Sequence, residues 1–440
     1  MGNGTVGSDL GIFEACRDLR WAAPLPEMLR VRRHIEEQRV GDIDAAVREA
    51  LAPLAGQVPS GASVAITAGS RGIASAPAIY RAVGRALTEL GARPFLVAAM
   101  GSHGGGTAPG RLAVLEHLGV RPETVEMPVL SSEDLVEIGH LDHGPVYVAK
   151  EAIDADLIFA VNRVKPHTDF HGPIESGLAK ILAVGLGKQK GANAIHAGGP
   201  ERLGHMAVAI TDLLVGKGKV LAGLAVLETT QHEVADLVLV EAAGIGHAAE
   251  SALLGQARER LARLPFDDLD VLVIAELGKE VSGAGIDPNV LGRMRIEGTP
   301  EPDSPNIAMV VVLGLSEATA GNATGIGLAD LTTVRVLEGI DLSVTYLNSL
   351  TSGRGGLRRA ALPIPLASDR DAICAALASC GQARPERRRL VHVKNTLSLS
   401  QFLASTTLRD EIEAHPELEI VDGPRAMRFD EAGKLLDVAG

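Results

Sequence analysis

Residues 162–197 read N-R-V-K-P-H-T-D-F-H-G-P-I-E-S-G-L-A-K-I-L-A-V-G-L-G-K-Q-K-G-A-N-A-I-H-A. The run just before it, 153–161 (I-D-A-D-L-I-F-A-V), reads as a buried strand. Pro166 and Gly172 then punctuate a polar loop. Over 174–186, Ile174, Leu178, Ile181, Leu182 and Leu186 recur at spacings of three and four, which predicts a helix. A strand, a polar loop and a helix in this order form the basic unit of an α/β sheet. In such sheets ligands bind beyond the carboxyl ends of the strands. The stretch therefore sets His167, His171, His196 and Lys180 where a binding crevice is expected.

The same alternation runs outward from there. A strand is predicted at 63–67, with loop 68–72 and a helix at 75–90. Another strand follows at 95–99, with loop 100–107 and a helix at 110–118. Downstream come a helix at 205–215, strands at 220–227 and 233–240, and a helix at 246–264. Leu264-Pro265-Phe266-Asp267-Asp268 reads as a boundary. Beyond it the pattern predicts strands at 269–275, 306–313 and 389–393, helices at 329–338 and 369–378, and a short hairpin from Glu417. The expectation is two α/β domains with mostly parallel sheets, 1–265 and 266–440, around a cofactor and substrate cleft.

Composition narrows the class. With 46% hydrophobic and 22% charged residues the chain has the balance of a soluble globular protein. A formal charge of -13 argues against general nucleic-acid binding and for a cytoplasmic protein. Cys16, Cys374 and Cys380 show neither zinc spacing nor a disulfide framework. The first residues lack the pattern of a secretory signal, and no apolar run has membrane-spanning length.

Several side chains have chemistry suited to a site. Arg71, beside Ser70 in a glycine-flanked loop, would grip a carboxylate or phosphate bidentately, or be a surface arginine in a turn. His103, in G-S-H-G-G-G-T, sits where glycines let backbone approach a ligand, and its imidazole titrates near neutral pH. His167 and His171 have the H-x-x-x-H spacing of helical metal sites, but Pro166 and Gly172-Pro173 break the helix that spacing requires. Lys180 lies among small apolar residues, where desolvation would lower its pKa and make it nucleophilic; a snorkelling lysine is the plainer alternative. Lys188 and Lys190 read as polar-loop lysines, and His196 as a metal ligand or a structural helix-end histidine. In the second half, Lys279 precedes S-G-A-G-I-D-P-N and would meet an anion across the cleft or stay solvated.

In this order, Arg71, His103, Pro166-His167, Ser176-Gly177-x-x-Lys180 and His196 resemble the nickel-pincer-nucleotide lactate racemase family. The resemblance spans the first domain and reaches the second more loosely through G-K-E-V-S-G-A-G-I-D-P-N. It implies that Lys180 carries the cofactor, with Ser70, Ser176 and Gly177 beside it, and that His196 binds nickel. It further implies that His103 and His167 are paired acid/bases, that Arg71 holds substrate carboxylate and that Lys279 assists. The chain departs from the family pattern in Ala68-Gly69-Ser70-Arg71-Gly72, which lacks an acid and a proline, and in a longer spacing from Pro166-His167 to the lysine. His171 therefore rivals His167, and a 2-hydroxy acid other than lactate is the expected substrate.

The implied activity is a racemase or epimerase of a 2-hydroxy acid. A poorly acidic α-hydrogen is easier to remove as hydride while a base takes the hydroxyl proton, and return to the other face inverts the centre. Two alternatives stay open: a zinc-dependent hydrolase using His167, His171 and His196, and a non-catalytic nickel-nucleotide carrier. The partners implied are the substrate and the enzymes that assemble the cofactor, with no nucleic acid and no membrane; a homo-oligomer is allowed.

Overall fold

The computed structural model describes residues 13–35, 37–70, 72–142, 144–196 and 199–437. Its strands are β1 (Glu27–Arg33), β2 (Ser63–Ala68), β3 (Arg93–Ala98), β4 (Val129–Leu130), β5 (Leu135–Leu141), β6 (Gly144–Ala149), β7 (Leu157–Arg163), β8 (Val220–Glu228) and β9 (Val234–Glu241). They continue with β10 (Asp268–Ile274), β11 (Asn306–Val312), β12 (Leu331–Thr333), β13 (Ile364–Leu366), β14 (Leu390–Val393), β15 (Gln401–Ser405) and β16 (Leu418–Ala426). The chain divides into two compact units, Glu37–Leu261 and a second formed by Met1–Glu36 with Ala262–Gly440. The fold class is mixed α/β with mostly parallel sheets, as the alternation predicts.

In the unit Glu37–Leu261 the sheet order is β4-β3-β2-β7-β8-β9, parallel except for the β8–β9 pair. Both faces are buried. Val64, Ile66, Ala68, Phe159 and Val161 enter one core, while Ala65, Ile158 and Ala160 enter the other. Two-sided burial is why these strands are near-continuous apolar runs instead of alternating ones. From β2 the chain steps outward to β3 and β4, then returns to lay β7 against the other side of β2. A reversal of this kind is where open α/β sheets bind ligands, at the carboxyl ends of the flanking strands, here β2 and β7.

The second unit repeats the device. Its sheet order is β13-β12-β11-β10-β14-β15-β1-β16, with β10 to β14 mutually parallel and an antiparallel flank of β15, β1 and β16. Here the order reverses between β10 and β14.

The structure corrects the sequence reading in five places. The expected domain 1–265 loses its first residues to the other unit, because β1 pairs with β15 and β16. Ile153 and Asp154 belong to the helix Lys150–Asp154, so the strand starts later, at Leu157. The span 329–338 is not one helix. Leu331–Thr333 is strand β12, and the Thr333 hydroxyl then caps the helix Val334–Glu338 by accepting from the Val336 N–H. From Glu417 the chain first runs as strand β16 beside β1, and the expected hairpin lies beyond it, closed by the antiparallel Phe429–Leu435 bridge. Finally, 174–186 is not a continuous α-helix. Ser176 pairs with Lys165 in an antiparallel bridge, Leu178–Lys180 is α-helical, and Ile181–Gly185 widens to a π-turn. Such widened turns recur at functional sites.

Candidate functional site

The site is read at the carboxyl edge of β2, β3 and β7. Ser70 leaves β2 and His103 leaves β3, and the Ser70 hydroxyl and His103 Nδ1 share a short hydrogen bond. His103 is exposed and Ser70 partly so. The helical segment of Lys180 packs beneath both loops. The Gly101 N–H donates to the Gly185 carbonyl at 3.2 Å, and Ile181 lies against Gly69. From the end of β7, the Asn162 side-chain amide donates to the Gly177 carbonyl at 2.6 Å. Ser70, His103 and the segment of Lys180 are thus assembled on one edge, with Lys180 itself half-buried.

The first turn of that segment is already filled. The Glu250 carboxylate accepts from the N–H groups of Leu178 (2.5 Å), Ala179 (3.2 Å) and Gly246 (2.8 Å). A Cβ on residue 177 would collide with this carboxylate, which is the reason for glycine there. Burial pushes the Glu250 carboxyl upward, and the three N–H bonds pull against it. The N–H groups that open this segment are therefore already paired within the chain.

His167 and His171 lie in a loop whose ends are tied by the Lys165–Ser176 bridge, an Ω-like closure. Glu175, with no exposed side-chain surface, organises this loop. It accepts from the His167 N–H (2.5 Å), the Gly172 N–H (3.0 Å) and Arg258 (2.5 Å), and faces His171 Nδ1 at 3.4 Å. Burial raises its pKa, but these donors outweigh it and hold the carboxyl below its ordinary value. His167 Nδ1 accepts from the Asp169 N–H at 3.0 Å, and its ring lies 4.5 Å from Phe170. An acceptor Nδ1 assigns the neutral ring's proton to Nε2. Nearby, Glu228 ends β8 and ties Arg163 (2.6 Å), the Ala74 N–H (2.9 Å) and His232 (3.1 Å). Burial opposes ionisation, but those contacts hold the Glu228 carboxyl at about 2.

Arg71 and the side chain of His196 lie outside the described residues; the backbone of His196 ends the helix Lys188–His196. Lys279 belongs to the other unit, where its ammonium donates to the Gly283 carbonyl at 2.6 Å. Among the described residues no group of three His, Cys, Asp or Glu is placed to hold a metal ion. Among them too, no helix is long and apolar enough to cross a membrane. Sequence reasoning missed Glu250, Glu175 and Arg258. Glu250 and Arg258 sit on the outer helix Ala248–Glu259, which nothing in the local pattern ties to the Lys180 segment.

No protein-family model and no curated protein matches this chain. Among solved structures it is similar to a Thermotoga maritima protein at 15% identity, covering 75% of this chain and 84% of that one, with a TM-score of 0.48. It is also similar to the lactate racemase apoprotein from Thermoanaerobacterium thermosaccharolyticum at 12% identity, covering 83% and 88%, with a TM-score of 0.41. Likeness at this level leaves function to the chemistry of the site.

Proposed function

We propose that the protein interconverts stereoisomers of a 2-hydroxy acid, using a nickel-pincer nucleotide tethered to Lys180. The observation that carries the reading is the Ser70–His103 hydrogen bond on the strand edge directly over the Lys180 segment. The residues fit a tethered group in one respect and restrict it in another. Lys180 is half-buried, not sealed in the core, while the N–H groups of the segment's first turn are taken by Glu250 and would not serve the group. His196 is the residue to hold nickel, and Arg71 the residue to grip the substrate carboxylate. The bound group supplies an acceptor for the α-hydrogen and its electron pair.

The chain's own residues handle the proton. His103 takes the substrate's hydroxyl proton through Nε2, with Nδ1 steadied by Ser70. Loss of that proton and of a hydride leaves a keto acid. On the opposite face His167 would be the proton donor to the oxygen, giving up its Nε2 proton from the imidazolium form, in which Nδ1 carries a proton in place of the Asp169 N–H contact. The reverse passage exchanges the two roles.

The test is to produce the chain with cofactor-assembly enzymes, analyse the Lys180 peptide by mass and screen hydroxy acids by chiral chromatography. The expected result is a mass adduct on Lys180 with inversion of at least one acid, and loss of both in Lys180→Ala. Inversion by protein whose Lys180 is unmodified would overturn the proposal.

A further inference from the structure

Lys188 is expected on a polar loop but is 2% exposed. It opens the helix that ends at His196, and its backbone is left-handed at φ 50°, a conformation a lysine adopts only when its surroundings impose it. Its ammonium donates to the carbonyls of Ser132 (2.6 Å) and Asp134 (3.0 Å) and to Glu151 (3.1 Å). Burial lowers its pKa, and Glu151 opposes that shift.

Arg111 has no exposed surface at all. It donates to the same Ser132 carbonyl at 2.6 Å, to the Ser131 hydroxyl at 3.1 Å and to the Gly106 carbonyl at 2.9 Å. Gly106 is in the loop of His103. One carbonyl oxygen therefore joins two buried cations. One cation grips the His103 loop, and the other pins the junction between the Lys180 segment and the helix of His196. Gln189, the next residue, closes the joint by packing against Gly106.

We infer that Lys188 and Arg111 are positioning residues that lock the His103 loop to the Lys180–His196 segment through the Ser132 carbonyl. This rests on reading His103 and Lys180 as partners in one site. Neither cation touches the reacting atoms. Their effect is to fix where His103 stands over Lys180, the half-ångström order of precision that a proton-transferring group needs.

The test uses the full chain. Lys188→Met keeps the bulk of the stem and removes the ammonium. Amide exchange across 101–107 is expected to rise about ten- to hundredfold, the weight of one lost charged hydrogen bond, while amides of β2 and β7 keep their rates. The titration midpoint of the His103 imidazole, followed by NMR and assigned with His103→Gln, is expected to move in the same variant. Lys188→Arg is expected to restore both readouts in part. Arg111→Met is expected to give the same pattern, and the double variant less than the sum, because both cations act on one carbonyl. Should Lys188→Met fail to fold, Lys188→Met with Glu151→Gln leaves no unpaired buried charge and carries the same measurements. Unchanged exchange in 101–107, an equal rise in β2 and β7, or an unmoved His103 midpoint overturns the inference. Neither readout needs turnover or cofactor. A missing Lys180 adduct would therefore leave this inference standing, and an indifferent loop would sink it with the racemase reading intact.

Discussion

The two units reverse strand order in the same way, yet their carboxyl edges differ in how many of their polar groups are buried and paired. At the β2/β7 edge the polar groups include the exposed His103, the part-exposed Ser70 and the half-buried Lys180. At the β10/β14 edge Ser282, Asp287, Thr319, Asn395 and Thr396 are buried, under an outer rank made of the exposed Lys394 and the part-buried Glu276 and Lys279. They bond to one another's loops. Asn395 donates to Glu276 at 2.9 Å, and the Asp287 N–H donates to the Thr396 hydroxyl at 3.0 Å. A topological crevice is thus an opportunity for chemistry only where polar groups are left facing outward. Where they satisfy each other, as Asn395, Asp287 and Thr396 do, they tie the loops of the edge together.

Breaking each edge should therefore have different consequences. His103→Gln keeps a hydrogen-bonding side chain beside Ser70 but cannot titrate. Its kcat/KM for the inverted acid is expected to fall about 10²–10⁴-fold with little change in stability. A loss under about tenfold would remove His103 from the acid/base role. Glu250→Ala leaves the Leu178, Ala179 and Gly246 N–H groups without their buried acceptor. Urea unfolding is expected to show a loss of roughly 3 kcal/mol or more.

Acid should separate the units. Burial, with no ring hydrogen bond among the described residues, lowers the His392 pKa to about 4 on β14 of the second unit. Because the folded value lies below the ordinary value of 6.5, the fold favours the neutral ring. That stability is complete above the ordinary value and fades as pH falls toward the folded one, by roughly 3 kcal/mol in all. Glu228 of the first unit, at about 2 against an ordinary 4.5, loses its contribution only as pH falls between those two values. Calorimetry between pH 7 and pH 4 is expected to show the unit of His392 melting earlier, and His392→Leu to abolish that shift. Smallest of all, Asn395→Ala is expected to cost about 1 kcal/mol and leave turnover unaltered, as a joint residue should. A fall in turnover there would make the two edges alike.

Much of this was legible in the chain. The apolar runs at Ser63–Ala68, Arg93–Ala98 and Leu157–Arg163 announce two-sided strands, and the loops after them carry Ser70, His103 and His167. Strand β1 escaped because Glu27-Met28-Leu29-Arg30-Val31-Arg32-Arg33 is short and charge-rich, and its partners lie near the opposite end of the sequence. The hairpin of β5 and β6 escaped as well, although it supplies the flanks of the Ser132 node. Lys188 looked solvated for a related reason. Its acceptors come from residues 132–151, and no local pattern reports a bond across that separation. Strand periodicity is a local signal, and the groups that steady a site are mostly distant ones.

The placement of β1 between β15 and β16 carries a consequence for biogenesis. The Glu37–Leu261 unit is one uninterrupted segment and has all its strands once Leu261 has left the ribosome. Glu27–Arg33, although made earlier, has no sheet to join until Gln401–Ser405 and Leu418–Ala426 emerge. Through most of translation it trails as an unpaired ribbon with Leu29 and Val31 uncovered, a natural client for a chaperone.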